Sequence, residues 1–180
     1  MYKAGPFMEH LFVLFVRTGD EDEIVARIER ELNSDMIHPF VPCKMVSFRK
    51  RGTTKQVVQV CFPGYVFLES AMDGGQFFEV EYQNIRKIKG IYKLLNYGSI
   101  YDIAMQEDEK DALLALYRNK IEKSIGVIEG DMVQIISGPL MGRESVIRKI
   151  NRHRREAVVE VTMFGRVQPV ILPLEIISKK

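Results

Sequence analysis

The run from Arg148 to Arg155 reads Arg-Lys-Ile-Asn-Arg-His-Arg-Arg, and six of its eight residues are Arg, Lys or His. A chain reversal there would fan the cations outward, so that several meet phosphates at once and release counterions. Arginine also donates bidentately to guanine edges and stacks on exposed bases, which makes loops and bulges of structured RNA candidate targets. No aromatic residue interleaves with these cations, so the run offers no stacking platform for a single strand. The bland alternative is a solvated basic turn at a sheet rim. A second cluster, Arg49-Lys50-Arg51, stands before Gly52 at the expected tip of a hairpin. It is a candidate contact to an upstream nucleic-acid backbone, although exposed charge at a turn also serves solvation alone.

Other chemistry lacks the residues it needs. His10, His38 and His153 are the only histidines, none at ligand spacing from Cys, Asp or Glu, and no Gly-rich phosphate loop is present. The chain is therefore not expected to be an enzyme or to hold a cofactor or metal. Cys43 and Cys61 have no metal-ligand spacing and are expected as reduced, small apolar side chains. They stand symmetrically about Gly52, so a hairpin turning there would place them across from each other.

These residues need a scaffold, and 180 residues with 46% hydrophobic content can bury one domain or two small ones. The net charge of +2 is uneven: residues 126–180 hold 9 Lys/Arg against 6 Asp/Glu, whereas residues 1–125 hold 17 against 18. No apolar run approaches the roughly 20 residues that span a bilayer, and the first seven residues contain no signal-peptide core. A cytoplasmic chain with no membrane partner is expected.

Leu11 to Val16 reads as a central strand buried on both faces. Asp20 offers an N-cap oxygen with Glu23 three residues on. Ile24, Val25, Ile28 and Leu32 recur at helical spacing, which leaves Glu21, Arg27 and Arg30 toward water. His38–Phe48 and Lys55–Phe62 form a hairpin. In Tyr65–Leu68 the alternation of an extended chain puts Val66 and Leu68 on one face and Tyr65 and Phe67 on the other. That second face is either buried too or open to a partner. Asp73-Gly74-Gly75 marks a turn, Phe77 to Tyr82 a short helix or an irregular segment, and residues 107–121 an amphipathic helix.

The expectation is an α+β domain over residues 10–120, an antiparallel sheet with packed helices, after a flexible segment 1–9. A linker at 121–126 leads to a small all-β barrel over 127–180. Its strands are Val133–Ile136, Ser145–Ile150, Ala157–Thr162, Val167–Leu172 and Glu175–Ile177. Gly138-Pro139, Gly165 and Pro169 interrupt any helical period there, so the barrel is expected to be stable rather than to switch to helix.

Within that tail, Gly130-Asp131-Met132-Val133-Gln134-Ile135-Ile136-Ser137-Gly138-Pro139-Leu140-Met141-Gly142 resembles the opening of a KOW motif. Phe164-Gly165-Arg166 with Pro169-Val170 is similar to its end in NusG-type transcription elongation factors. Phe62-Pro63-Gly64-Tyr65-Val66-Phe67 resembles the signature strand of their N-terminal domain, and the order of these elements covers nearly the whole chain. The resemblance implies a monomeric bacterial factor whose first domain docks on the clamp helices of RNA polymerase through an apolar pocket. Tyr65 and Phe67 would fall at that pocket. Phe62 has the other parity and would join them only if Pro63-Gly64 bends the strand.

The chain departs from the family pattern in three places. Leu11-Phe12-Val13 stands where Trp-Tyr-Val is usual. The loop Leu140-Met141-Gly142-Arg143 lacks the Phe residues that help the housekeeping factor contact Rho or a ribosomal protein. The following turn is basic rather than mixed or acidic. This pattern is more similar to a specialised paralogue of the LoaP antitermination group, whose KOW domain is thought to read an RNA hairpin in a leader transcript. The RNA-binding set implied is Arg143, Arg148, Lys149, Arg152, His153, Arg154, Arg155 and Arg166, with other Nus factors as candidate partners. One alternative is a housekeeping NusG-like factor that binds Rho or a ribosomal protein. The other is a ribosome-associated KOW protein, which would explain the basic tail but not the neutral first domain.

Overall fold

A computed structural model describes residues 9–32, 35–50, 53–117 and 123–179, with positions 47–50 and 53–54 described in backbone alone. Residues 1–8 of the expected flexible segment and 118–122, including the start of the expected linker, lie outside the described residues. Glu9 is described, and its carbonyl accepts a 2.5 Å hydrogen bond from Lys110 Nζ.

The elements run β1 (His10–Val16), α1 (Glu21–Glu31), β2 (Ile37–Phe40), β3 (Cys43–Lys50), β4 (Thr53–Val60), β5 (Tyr65–Ser70) and α2 (Gly74–Lys87). After these come β6 (Ile91–Leu94), α3 (Glu107–Tyr117), β7 (Ser124–Glu129), β8 (Met132–Ser137), a single 3-10 turn (Glu144–Val146), β9 (Ile147–Asn151), β10 (Glu156–Met163) and β11 (Arg166–Lys179). They form two compact units. One takes the described residues up to Val41 and from Phe62 to Lys110; the other takes Pro42–Cys61 and the described residues from Asp111 on.

In the first unit four antiparallel strands lie in the order β2-β5-β1-β6. The register Phe12↔Leu68 and Leu14↔Val66 puts these four side chains on one face. There they meet Ile24 and Ile28 of α1 and Phe77 and Ile85 of α2 in one core, where Phe12 stacks on Phe77 at 3.9 Å. Each such aliphatic side chain contributes about 1.5–3 kcal/mol by leaving water, which explains why β1, apolar almost throughout, is central.

The helix starts differ from expectation. Asp20 makes no side-chain cap on α1; its carboxylate takes a 2.5 Å hydrogen bond from Arg17 Nε instead. Glu23 pairs with Arg27 at 2.5 Å rather than completing a capping box. Glu21, expected toward water, is buried. The segment after Asp73 is a full helix with a reciprocal capping box: Gln76 N donates to Asp73 Oδ1 (2.9 Å) and Asp73 N to Gln76 Oε1 (3.2 Å). Gly74-Gly75 masked that signature in the sequence by suggesting a turn, yet glycines directly after a cap cost little where the first turn is fixed by two side-chain bonds.

The expected hairpin arm from His38 to Phe48 is split. β2 joins the four-stranded sheet, while β3 and β4 pair only with each other, from Cys43↔Val60 to Lys50↔Thr53. Pro42 lacks the donor to continue a ladder, and its carbonyl accepts from Cys61 N at 2.8 Å. Cys61 therefore follows the ladder instead of lying opposite Cys43.

The second unit also carries a five-stranded sheet in the order β8-β7-β11-β10-β9. The two expected strands Val167–Leu172 and Glu175–Ile177 are one: β11 runs antiparallel to β10 from Arg166 to Pro173 and parallel to β7 from Leu174. Residues 124–126, expected in the linker, open β7. Gly126 there reads as a break but allows close approach, since a Cβ would sit 3.0 Å from the Gln134 carbonyl oxygen.

Gly138 (φ +94°) fixes the turn after β8, and a Cβ there would lie 2.5 Å from Ser124 Cα. Gly138→Ala is expected to cost at least about 3 kcal/mol, because backbone rather than a flexible side chain must move. Gly142→Ala, at φ +72° in open space, should cost only about 1–2 kcal/mol. Urea denaturation of the two variants checks the ordering.

Candidate functional site

The strand that carries the aromatic face begins at a bend. Gly64 has φ +84°, and Tyr65 N donates to Phe62 O at 3.1 Å, closing the turn. Its amide donates to Glu21 Oε1 and the Gly19 amide to Glu21 Oε2, both at 2.7 Å, while Val16 N donates to Gly64 O at 2.8 Å. Glu21 is 5% exposed because this turn lies over the start of α1.

The bend brings Phe62 to the Phe67 side, with the rings 5.5 Å apart. Phe67 is 0% exposed and also faces Phe40 at 5.6 Å. Of the three aromatics singled out in the sequence, Phe62 and Phe67 are thus interior, and Tyr65 is half-buried. Tyr65 shares the Phe67 face, as alternation requires, and its ring contacts Phe15 at 5.5 Å. Phe15 in turn meets Tyr92 at 5.6 Å. Phe15 is 39% exposed and Tyr92 62%, so the accessible aromatic surface of this face is Tyr65, Phe15 and Tyr92.

Sequence reasoning missed two of these three. Phe15 was legible, since it has the parity of Leu11 and Val13 and lies opposite Tyr65. Tyr92 was not: the β1–β6 register shifts between Phe15↔Lys93 and Val16↔Ile91, and the extra residue is Tyr92. A bulge of this kind re-aims a side chain without leaving a pattern in the sequence.

The basic run forms the β9–β10 hairpin. Asn151 Oδ1 accepts from Arg154 N at 3.1 Å, Arg155 N donates to Arg152 O at 3.3 Å, and Arg155 has φ +54°. Arg152, His153, Arg154 and Arg155 are all exposed on this turn. A register shift in β9 pairs Lys149 with Val158 and Ile147 with Val159, leaving Arg148 as the extra residue; Arg148 and Lys149 are both exposed.

Two cations of the run already have carboxylate partners. Arg148 Nε donates to Glu160 Oε2 at 2.6 Å, and Arg155 pairs with Glu175 at 3.6 Å. Lys123 also donates to Glu175 and, with Arg155, holds its carboxyl below the ordinary carboxylate range. Lys149, Arg152, His153 and Arg154 make no ion pair among the described residues. Arg166 opens β11 opposite Met163, eight residues and about 25 Å along β10 from the turn at roughly 3.3 Å per residue. Arg143 precedes the 3-10 turn, before the end of β9 distant from the basic turn. The structure therefore separates Arg143 and Arg166 from the rest of the set. Arg49 and Lys50 close the β3 ladder with side chains outside the described residues, and Arg51 lies outside them altogether.

No group of three His, Cys, Asp or Glu is placed to hold a metal among the described residues, and no described helix is long and apolar enough to cross a membrane. Burial pushes the Cys61 thiol up to about 12, which leaves it a poor nucleophile.

One unit thus carries the strand Tyr65–Ser70 with its aromatics, and the other carries the basic β9–β10 hairpin. Residues 9–114 match the family described as transcription termination factor NusG, and residues 129–164 match the KOW motif. The chain belongs to the NusG family and is a transcription termination/antitermination factor of that family. It is 25% identical to the transcription termination/antitermination protein NusG of Thermus thermophilus, covering 93% of this chain and 97% of the relative. It is 27% identical to that of Halalkalibacterium halodurans over the same shares. A solved structure described as domain interaction in Thermotoga maritima NusG aligns with a TM-score of 0.51 at 24% identity, covering 91% of this chain and 93% of that one, a likeness of fold.

Glu175→Gln should release Arg155 and Lys123 toward solution anions. Retention on an immobilised polyanion is expected to rise, and the slope of log affinity against log salt to steepen by about one to two, at roughly 0.9 per phosphate gained. Unchanged elution would mean that Glu175 does not restrain these cations.

Proposed function

We propose that this protein docks on the clamp helices of RNA polymerase through its first unit and promotes processive elongation, while the basic turn of its KOW domain binds a structured RNA. The observation that carries the first half is the cluster of half-buried Tyr65 with exposed Phe15 and Tyr92 on one face of the sheet. Aromatic side chains supply large contact area at low entropic cost and dominate binding energy at protein interfaces. Phe62 and Phe67 act beneath them, holding the strand in place. No bond is made or broken in this role; the factor works by holding polymerase in an elongating state.

The second half rests on Lys149, Arg152, His153 and Arg154, exposed at one hairpin and without an ion pair among the described residues, against a loop at Leu140–Arg143 that lacks the aromatics of the housekeeping factor. This combination favours a specialised antiterminator of the LoaP type, acting as a monomer on a leader hairpin, over a housekeeping factor that contacts Rho or a ribosomal protein. Other Nus factors would join such a complex. Arg152, Arg154, His153 and Lys149 form the central RNA contact, with Arg148 and Arg155 recruited from their carboxylates. Arg143, Arg166 and the β3–β4 tip would serve only as peripheral contacts.

Two measurements test the halves separately. Tyr65→Ser, Phe15→Ser and Tyr92→Ser should each weaken co-purification with core RNA polymerase about tenfold or more with a nearly unchanged thermal midpoint, whereas Phe67→Ala should lose about 3–5 kcal/mol of stability. Wild-type binding by the triple serine variant would remove the docking reading. For the KOW domain, affinity of the full chain for a structured leader RNA should fall with a log–log salt slope near −5 if about six phosphates are met. Replacing Arg152, Arg154 and Arg155 by Ala should flatten that slope by about three and abolish preference for the hairpin over a scrambled strand. An unaltered preference would return the turn to a solvated rim and favour the housekeeping reading.

A further inference from the structure

A cavity of about 340 Å³ opens in the first unit between the C-terminal half of α2 and β6. It is of the size that holds a small organic ligand. Its floor is apolar, made by Ile85, Leu94 and Ile103, all nearly fully buried. Its rim carries two flat aromatic side chains, Tyr82 and Tyr92, and two cations, Arg86 and Lys93. Among the described residues no carboxylate lines it.

The two cations on this rim have no carboxylate partner among the described residues. Arg86 and Lys93 make no ion pair among the described residues, in contrast to Arg17, Arg27 and Arg30 of the same unit. The Arg86 guanidinium lies 5.8 Å from the centre of the Tyr82 ring, and Phe78 stacks on Tyr82 at 4.6 Å, so Tyr82 holds Arg86 at the rim. Asn96, also in the lining, uses its side-chain oxygen to accept from Gly98 N at 3.1 Å.

We propose that this cavity is a nucleotide-binding site, taking one aromatic base against the exposed ring of Tyr92 and its phosphate on Arg86 and Lys93. A flat ring over an apolar floor gains stacking and dispersion, and a phosphate satisfies two cations that otherwise face only water. Asn96 supplies a donor for a base edge. A base with a phosphate reaches the site either as a free mononucleotide or as one unstacked unit of a single strand. The site belongs to the first unit and the basic turn to the second, and the proposal does not depend on the function assigned to that turn.

The test is a ¹H–¹⁵N NMR titration of the full chain carrying Arg152→Ala, Arg154→Ala and Arg155→Ala, so that the basic turn contributes little. The probes are adenosine 5′-monophosphate, adenosine, a six-residue oligouridylate and a peptide rich in Asp and Phe. Saturable shifts at Arg86, Lys93 and Asn96 are expected with at least one phosphate-bearing probe. If both the monophosphate and the oligonucleotide saturate the site, or the monophosphate alone, the ligand is a free nucleotide; saturation by the oligonucleotide alone assigns it to a strand.

Adenosine should bind about tenfold more weakly than its monophosphate. Arg86→Ala with Lys93→Ala should weaken nucleotide binding tenfold or more, Tyr92→Leu about fivefold or more, and Tyr92→Phe, which keeps the ring, by less than twofold. Absence of shifts at these residues, affinity that ignores the cation changes, or saturation by the acidic peptide alone would each overturn the proposal.

Discussion

The fold of the first unit turns on one buried carboxylate. Glu21 takes amide hydrogen bonds from Gly19 and Gly64, each at 2.7 Å, with no cation beside it among the contacts described. A carboxylate removed from water without such donors would be costly, and two charge-assisted bonds to backbone offset that cost. The same two bonds tie the loop after β1 to the bend before β5. Arg17 N donates to Gly90 O at 2.9 Å and adds the loop before β6 to the same frame. Phe15, Tyr65 and Tyr92 are presented by the three strands that these loops flank. Their relative placement is therefore inherited from a constraint that none of them contributes to.

The bend also decides which aromatics are available. With Gly64 at positive φ the chain turns before β5, and Phe62 passes beneath the sheet face instead of continuing the strand. A side chain at position 64 would meet Thr18 Oγ1 at 3.0 Å and the Val16 carbonyl at 3.4 Å. Glycine at this point thus serves two needs, a left-handed backbone and room for the loop that Glu21 holds down. The interior pair Phe62 and Phe67 packs together beneath the face, and Tyr65, Phe15 and Tyr92, from three different strands, are the aromatics left accessible on it.

Period-two alternation was sufficient to sort Tyr65 and Phe67 from Val66 and Leu68, because parity is a property of the extended backbone itself. Exposure was not legible, since Phe67 is covered by Phe40, twenty-seven positions earlier in the chain. Glu21 read as a solvent-facing charge because helical spacing says nothing of a loop that arrives from residue 64. Two bulges, at Tyr92 and Arg148, placed site residues in ways that no regular period encodes. The basic run itself was plain in the sequence. Its neutralisation by Glu160 and Glu175 was not, because those carboxylates come from other strands.

That neutralisation changes what the run can discriminate. An anion approaching the turn meets Lys149, Arg152, His153 and Arg154 first, while Arg148 and Arg155 remain occupied by carboxylates. Exchanging a carboxylate for a phosphate on an exposed arginine gains little in net Coulomb energy, since one ion pair replaces another in the same high dielectric. Such an exchange becomes favourable only when the incoming anion also makes further bonds to the planar guanidinium or stacks upon it. A uniform phosphate backbone would engage the side chains that have no carboxylate partner, and a shaped surface with correctly placed acceptors would engage Arg148 and Arg155 as well. The internal carboxylates therefore lower general affinity for polyanions more than affinity for a fitted one, which is how a highly basic turn can be selective.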